Sequence, residues 1–181
     1  NGKTWAKPTE ITDSVKEPGW GWYATGPGVG IQLTRGKHKG RLVIPCDHSQ
    51  QIDGKRVMFS HAFYSDDHGK TWKLGGTVGR HTDECQVVEL NDGTLMMNMR
   101  NYWGRDGKQQ DKDKMRAVAL SRDGGTSWGK LRFDKTLIEP ICQGSFLRYA
   151  TKGDTGPDRL LFSNPASKAK RERLTVRLSR D

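Results

Sequence analysis

Two residue types able to do chemistry flank one tight turn. In the stretch 83–103, DECQVVELNDGTLMMNMRNYW, Glu84 lies before and Arg100 after the triplet Asn91-Asp92-Gly93. That triplet is a strong hairpin signal, and the strand formers at 86–90 and 94–99 complete the pattern. A hairpin centred on Asp92 sets Glu84 opposite Arg100, with Cβ atoms about 5 Å apart on one face. A carboxylate exchanges a proton and a guanidinium grips an anion, so the pair is a candidate site. By spacing alone the plainer reading is a cross-strand salt bridge, worth under about 1 kcal/mol when exposed. A turn of different length would shift the pairing by one residue.

The other reactive residue types form no comparable constellation. Cys46, Cys85 and Cys142 are far apart in sequence and lack metal-ligand spacing, so buried thiols are expected, and their odd number argues against a pure disulfide framework. His38, His48, His61, His68 and His81 likewise show no ligand spacing. No metal and no cofactor is therefore expected. His48, in CDHS, is the histidine to watch, with a structural role preferred.

Only 33% of the 181 residues are hydrophobic and 22 are glycine, a mix that favours short strands and tight turns over a helical bundle. No apolar run is long enough to span a bilayer, and the first residues carry no export signal. The formal charge of +10 predicts attraction to an anion: nucleic acid, acidic polysaccharide or a small anionic substrate. The basic residues cluster only at 35–41 and 168–180. The first cluster is expected to be solvated surface.

The elements that must position Glu84 and Arg100 announce themselves by repetition. SDDHGKTW at 65–72 and SRDGGTSW at 121–128 share the pattern Ser-x-Asp-x-Gly-x-(Thr/Ser)-Trp. The chain opens on NGKTW, the last five letters of the motif, and ends on SRD, its first three, so it reads as a piece that starts inside one copy and stops inside another. Strand-like segments, VMFSHAFY and MRAVAL, precede the two full copies. Gly69 and Gly125 suit a positive φ, Asp67 and Asp123 suit bonds to nearby amides, and Trp72 and Trp128 close the turn. Ser65, Asp67, Gly69, Trp72, Ser121, Asp123, Gly125 and Trp128 are thus structural staples. One such turn per fifty to seventy residues, roughly, suits a four-stranded propeller blade with its loops.

These copies resemble the Asp-box, or bacterial neuraminidase repeat, of sialidases. The segment 84–93, Glu-x-x-Val-Val-Glu-Leu-x-Asp-Gly, followed by a strand ending in Asn-x-Arg, resembles the segment of exo-α-sialidases that holds a catalytic glutamate and a clamp arginine. YATGPGVGIQLTRGKHKGRLVIP at 23–45 and FSNPASKAKRERLTVRLSRD at 162–181 are similar to two further segments of that family. The resemblance implies an all-β, six-bladed β-propeller of sialidase type, with about three blades inside residues 1–181 and the single catalytic domain truncated at both ends.

It also implies a chemistry: retaining hydrolysis of terminal α-linked sialic acids on sialylated glycans. Sialidases use a tyrosine nucleophile. By resemblance Glu84 is the base that takes its proton, and Arg100 and Arg171 grip the substrate carboxylate. Arg173 and Arg177 compete with Arg171 for the latter role. The first clamp arginine, the acid/base aspartate and the nucleophilic tyrosine are expected outside residues 1–181, because Tyr23, Tyr64, Tyr102 and Tyr149 do not match the tyrosine's position. These 181 residues alone are therefore expected not to turn over substrate. The family implies a secreted, periplasmic or lysosomal location; oligomeric state is left open. An alternative is a non-catalytic Asp-box propeller that binds glycan or protein. A nucleic-acid binder, suggested only by charge, would need a basic stripe with stacking aromatics, and Trp5, Trp72 and Trp128 belong to turns instead, so no nucleic acid is expected. Trp20, Trp22 and Trp103 either line a sugar subsite or pack in the core, the commoner role.

Overall fold

The computed structural model describes residues 2–103, 114–149 and 159–180. Asn1 and Asp181, which belong to the two partial copies of the repeat, lie outside them. The described chain holds one short helix, α1 (Thr12–Val15), and twelve strands. The strands are β1 (Tyr23–Ala24), β2 (Ile31–Gln32), β3 (Leu42–Ile52), β4 (Lys55–Ser65), β5 (Lys73–Thr77), β6 (Thr82–Glu89), β7 (Leu95–Asn101), β8 (Met115–Ser121), β9 (Arg132–Ile138), β10 (Ser145–Tyr149), β11 (Arg159–Pro165) and β12 (Leu174–Arg180). No described helix is long and apolar enough to cross a membrane.

Three antiparallel sheets follow one another along the chain. The first runs β1-β3-β4-β5, with β2 also on β3; the second is the meander β6-β7-β8-β9; the third is β10-β11-β12. The hairpin at Asn91-Asp92-Gly93 joins β6 to β7 in the expected register, with Cys85 opposite Met99 and Glu89 opposite Leu95. The register shifts between Thr82 and Cys85, so Asp83 and Glu84 sit in a bulge that re-aims their side chains.

The middle sheet is packed on both faces, which is why β7 opens on three consecutive apolar residues, Leu95-Met96-Met97, rather than alternating from its start. Cys85, Val87, Leu95, Met97, Met99, Ala117 and Ala119 pack toward Val43, Ala62 and Tyr64 of the first sheet. Val88, with Met96 partly buried, packs against Phe146, Leu160 and Phe162 of the third. All three cysteines are buried and free. The exposed faces of β12 (Leu174, Val176, Leu178) and β10 (Leu147, Tyr149) carry the largest uncovered apolar side chains of the third sheet.

Both full copies of the repeat are the turns between the third and fourth strands of their sheets. Ser65 Oγ donates to Asp67 Oδ1 at 2.8 Å and accepts the Gly69 amide at 2.8 Å, and Asp67 also accepts the Thr71 amide at 2.8 Å. Ser121, Asp123, Gly125 and Ser127 repeat that set at 2.8, 2.8 and 2.9 Å. Gly69 and Gly125 have φ of 85° and 89°, a region that favours glycine. Trp72 packs edge-on to Phe63 at 5.2 Å, and Trp128 packs on the first core cluster. Trp5, from the partial copy, is 88% exposed.

One residue of the cluster 35–41 departs from the expected solvated surface. Arg41 is buried, lies 3.9 Å over the Tyr64 ring and forks onto Asp66 at 2.7 and 3.1 Å. Its Nη1 donates to the carbonyls of Asp123 and Gly124 and to Thr126 Oγ1, tying the first sheet to the turn of the second. A guanidinium has enough donors for both tasks, and a run of charges in sequence conceals such distant partners.

Candidate functional site

The two full Asp-box turns, with the β6–β7 hairpin, lie at one end of the sheets. The start of β6 and the end of β7 lie at the other, and there a cavity of about 450 Å³ opens. Glu84 and Arg100 both line it, with Asp47, Asp83, Trp22 and Arg56. Each comes from a different constraint: Asp47 from mid-β3, Asp83 and Glu84 from the bulge, Arg100 from the end of β7. Trp22 comes from the segment ahead of β1. The glycine-rich loop closes one side, because the Cys85 amide donates to the Gly26 carbonyl at 3.0 Å. A Cβ on Gly28 would sit 3.0 Å from the Cys85 carbonyl, so the backbone approaches β6 as closely as glycine permits.

Glu84 and Arg100 meet despite the bulge. Arg100 Nη1 donates to Glu84 Oε2 at 2.9 Å and stands 3.4 Å from Asp83 Oδ2. Its Nε donates to the Ile141 carbonyl at 3.1 Å, and the guanidinium lies 4.8 Å over the Tyr102 ring. Burial opposes the charge on Arg100, but Glu84, Tyr102 and Asp83 outweigh it and hold the side chain more firmly protonated than usual. This is more than a surface salt bridge, since the arginine side chain is only 16% exposed.

Asp47 and Asp83 were not anticipated. Asp47 is almost fully buried and accepts Trp22 Nε1 at 2.9 Å. Burial, then the neighbouring Asp83, pushes its carboxyl up to about 7, so near neutrality it holds a proton part of the time. The strand pattern around CDHS was the available signal: alternation puts Asp47 on the face opposite His48. His48 itself is structural. Its Nδ1 lies 2.9 Å from His61 Nδ1 and its Nε2 2.9 Å from Gln50 Nε2, under Trp20 stacked at 3.4 Å. Of the three tryptophans left open, Trp22 lines the cavity, Trp20 packs on His48, and Trp103 packs edge-on to His81.

The clamp arginine candidates of the third sheet do not line this cavity. Arg171 is exposed on the connection between β11 and β12. Its charge nevertheless reaches the Cys142 thiol, as do those of Arg116 and Arg100, while burial and then Glu139 raise that thiol. Arg177 is engaged by Asn164 at 3.2 Å, and the Arg173 carbonyl accepts the Ala166 amide at 3.0 Å. Among the tyrosines, Tyr23 donates its hydroxyl to the Val15 carbonyl at 3.0 Å, and Tyr102 lies in the cavity wall. Among the described residues no group of three or more His, Cys, Asp or Glu side chains is arranged to hold a metal.

Comparison with known proteins gives this arrangement a context. The model of the BNR repeat-like domain matches residues 1–181. A sialidase of Bacteroides fragilis is 38% identical over 183 residues, covering 100% of this chain and 31% of that protein. A sialidase of Micromonospora viridifaciens is also 38% identical, covering 99% of this chain and 27% of its own length. The chain thus spans less than a third of either relative. Among solved structures, a Hadza microbial sialidase superposes with a TM-score of 0.79 at 34% identity, over 99% of this chain and 32% of that one. The intramolecular trans-sialidase from Ruminococcus gnavus superposes with a TM-score of 0.76 at 25% identity, over 98% of this chain and 34% of that one. The three sheets are therefore all-β units of the sialidase β-propeller type.

Proposed function

We propose, from the premise that this chain belongs to the BNR repeat-like domain family, that its cavity serves the hydrolysis of terminal α-linked sialic acids. The observation that carries the reading is the contact of Glu84 with Arg100, at 2.9 Å, in the wall of a cavity. A sialic acid bears a carboxylate on its anomeric carbon. Arg100, fixed by Ile141 and stacked on Tyr102, offers that carboxylate a planar, always-charged fork. Arg171, exposed on the β11–β12 connection and outside the cavity wall, is assigned to the same carboxylate by family resemblance alone.

The same carboxylate repels an anionic nucleophile, which makes a neutral phenol the suitable attacker. A phenol is a weak nucleophile until a base takes its proton. Glu84 is that base: 28% exposed, it is within reach of an incoming hydroxyl while one oxygen stays on Arg100. The phenolic oxygen bonds to the anomeric carbon as the glycosidic bond breaks, and an aspartic acid protonates the leaving oxygen. Water then reverses the sequence and configuration is retained. The nucleophile, the aspartic acid and a further arginine come from outside residues 1–181.

Release of a fluorescent phenol from a synthetic α-sialoside by the intact protein tests this reading. Glu84→Gln, which keeps the shape and removes the base, is expected to lower kcat by about 10²- to 10⁴-fold. An active intact protein with an unimpaired Glu84→Gln variant would remove Glu84 from the mechanism. An inactive protein that still binds sialic acid would favour a lectin.

A further inference from the structure

Behind Arg100 lies a fully buried ion pair for which the chemistry above has no use. Arg116 on β8 and Glu139, just after β9, are both 0% exposed. Arg116 Nη1 donates to Glu139 Oε2 at 2.5 Å and to the Cys142 carbonyl at 2.6 Å, and its Nε donates to Asn98 Oδ1 at 2.6 Å. The second oxygen of Glu139 accepts the Asn101 amide at 2.7 Å, and the Glu139 amide donates to the Lys114 carbonyl at 3.0 Å. The pair therefore grips both ends of the connection Glu139-Pro140-Ile141-Cys142, and it also holds the backbone next to Arg100.

Between those two grips stands Ile141 with φ of 58°, a left-handed conformation that a β-branched residue strongly disfavours. Such strain persists only where surrounding contacts over-determine it. Its product is a carbonyl aimed at Arg100 Nε, 3.1 Å away. Stability gives a poor reason for the pair, because two buried charges generally do no better than well-packed apolar side chains of similar volume. Positional definition is the better reason.

We propose that Arg116 and Glu139 are positioning residues, which hold Ile141 in its strained conformation so that its carbonyl orients the Arg100 fork toward an anionic ligand. The inference rests on the reading that Arg100 grips the ligand carboxylate. Burial, opposed by Arg116, raises the Glu139 carboxyl above its ordinary range, so the partner's charge is what keeps the grip on both sides.

The test is a double-mutant cycle in the intact protein, reading Kd for N-acetylneuraminic acid and for its uncharged methyl ester, with Tm alongside. Glu139→Gln is expected to weaken binding of the acid by about tenfold to a hundredfold, as misplacement of a binding group does, and to leave the ester nearly unchanged. In the Arg100→Ala background it is expected to add nothing. If Glu139→Gln lowers Tm but leaves the acid's Kd, or weakens acid and ester alike, the pair is merely structural and the proposal falls. If Arg100→Ala itself does not diminish the preference for acid over ester, the reading of Arg100 falls and takes the proposal with it. Should Glu139→Gln fail to fold, Arg116→Gln combined with Glu139→Gln leaves no unpaired charge and is expected to show the same selective loss.

Discussion

Glu84 and Glu89 stand near opposite ends of one strand, five letters apart in one motif, and have opposite surroundings. Glu89 is buried and its oxygens are occupied: Thr34 donates its amide and hydroxyl at 2.8 and 2.7 Å, and Arg35 its amide at 3.0 Å. Glu84 faces a cavity and has one guanidinium as its protein partner there. The aspartates repeat the contrast. At the Asp-box end, bonds to Thr71 hold the Asp67 carboxyl below its ordinary range; the Ser127 bonds do the same for Asp123 against the opposing effect of burial. At the cavity end Asp47 is pushed the other way. A carboxylate filled by amides of its own turn is spent on structure, whereas burial beside a second carboxyl favours the protonated form of Asp47.

The two glutamates provide the sharpest way to break that contrast. Glu84→Gln is expected to cost about 10²- to 10⁴-fold in kcat with little change in Tm. Glu89→Gln is expected to lower stability by about 1–2 kcal/mol through weakened amide bonds, with kcat per folded molecule unchanged, as activity and denaturant midpoints on the same samples would show. Equal loss of activity in both would erase the distinction between the two ends. Next in size is Arg41→Met, which strands the Gly124 carbonyl and Asp66; a loss of about 3 kcal/mol in chemical denaturation is expected.

Acid comes third. Burial pulls His48 down to about 4, and burial with the His48 charge pulls His61 down to about 3. The unfolded chain, with histidines near 6.5, binds protons first, so this contribution is complete above about 6.5 and is lost as pH falls toward 4. Asp47 has the opposite sign: raised to about 7, it contributes stability that is complete below about 4 and is lost as pH rises toward 7. The unfolding free energy from denaturant titrations is expected to fall by about 2 kcal/mol net as pH drops from about 6.5 to about 4.5, and by less in His61→Gln. The smallest effect is Asp123→Ala, about 1 kcal/mol in thermal melts, because its bonds are local and partly solvated. A larger loss of activity than of stability in that variant would place function at the wrong end.

Much of this was legible in the sequence because the signals were local. The Asn91-Asp92-Gly93 turn sets the register from Cys85 to Glu89, and the Ser-x-Asp-x-Gly turns mark the sheets. The bulge at Asp83 and Glu84 was not legible, since nothing in the letters shows an unpaired residue; the two side chains meet because a long arginine spans the displacement. Asp47 was missed as a site residue, and Trp22 was left open between sugar subsite and core, for a different reason. Their place in the cavity depends on β3 packing against β6, a long-range contact that no spacing encodes. Arg41 was read as surface because its carbonyl partners lie more than eighty residues away.

In the proposed function the cavity end of the sheets binds a carboxylate sugar through Arg100. A crystal structure of the intact protein soaked with N-acetylneuraminic acid tests it most directly. The expected result is the sugar's carboxylate on the Arg100 guanidinium, with N–O distances of about 2.7–2.9 Å, and Glu84 beside the anomeric carbon. A sugar lodged at the Asp-box end, or held in the cavity with its carboxylate turned away from Arg100, would contradict it.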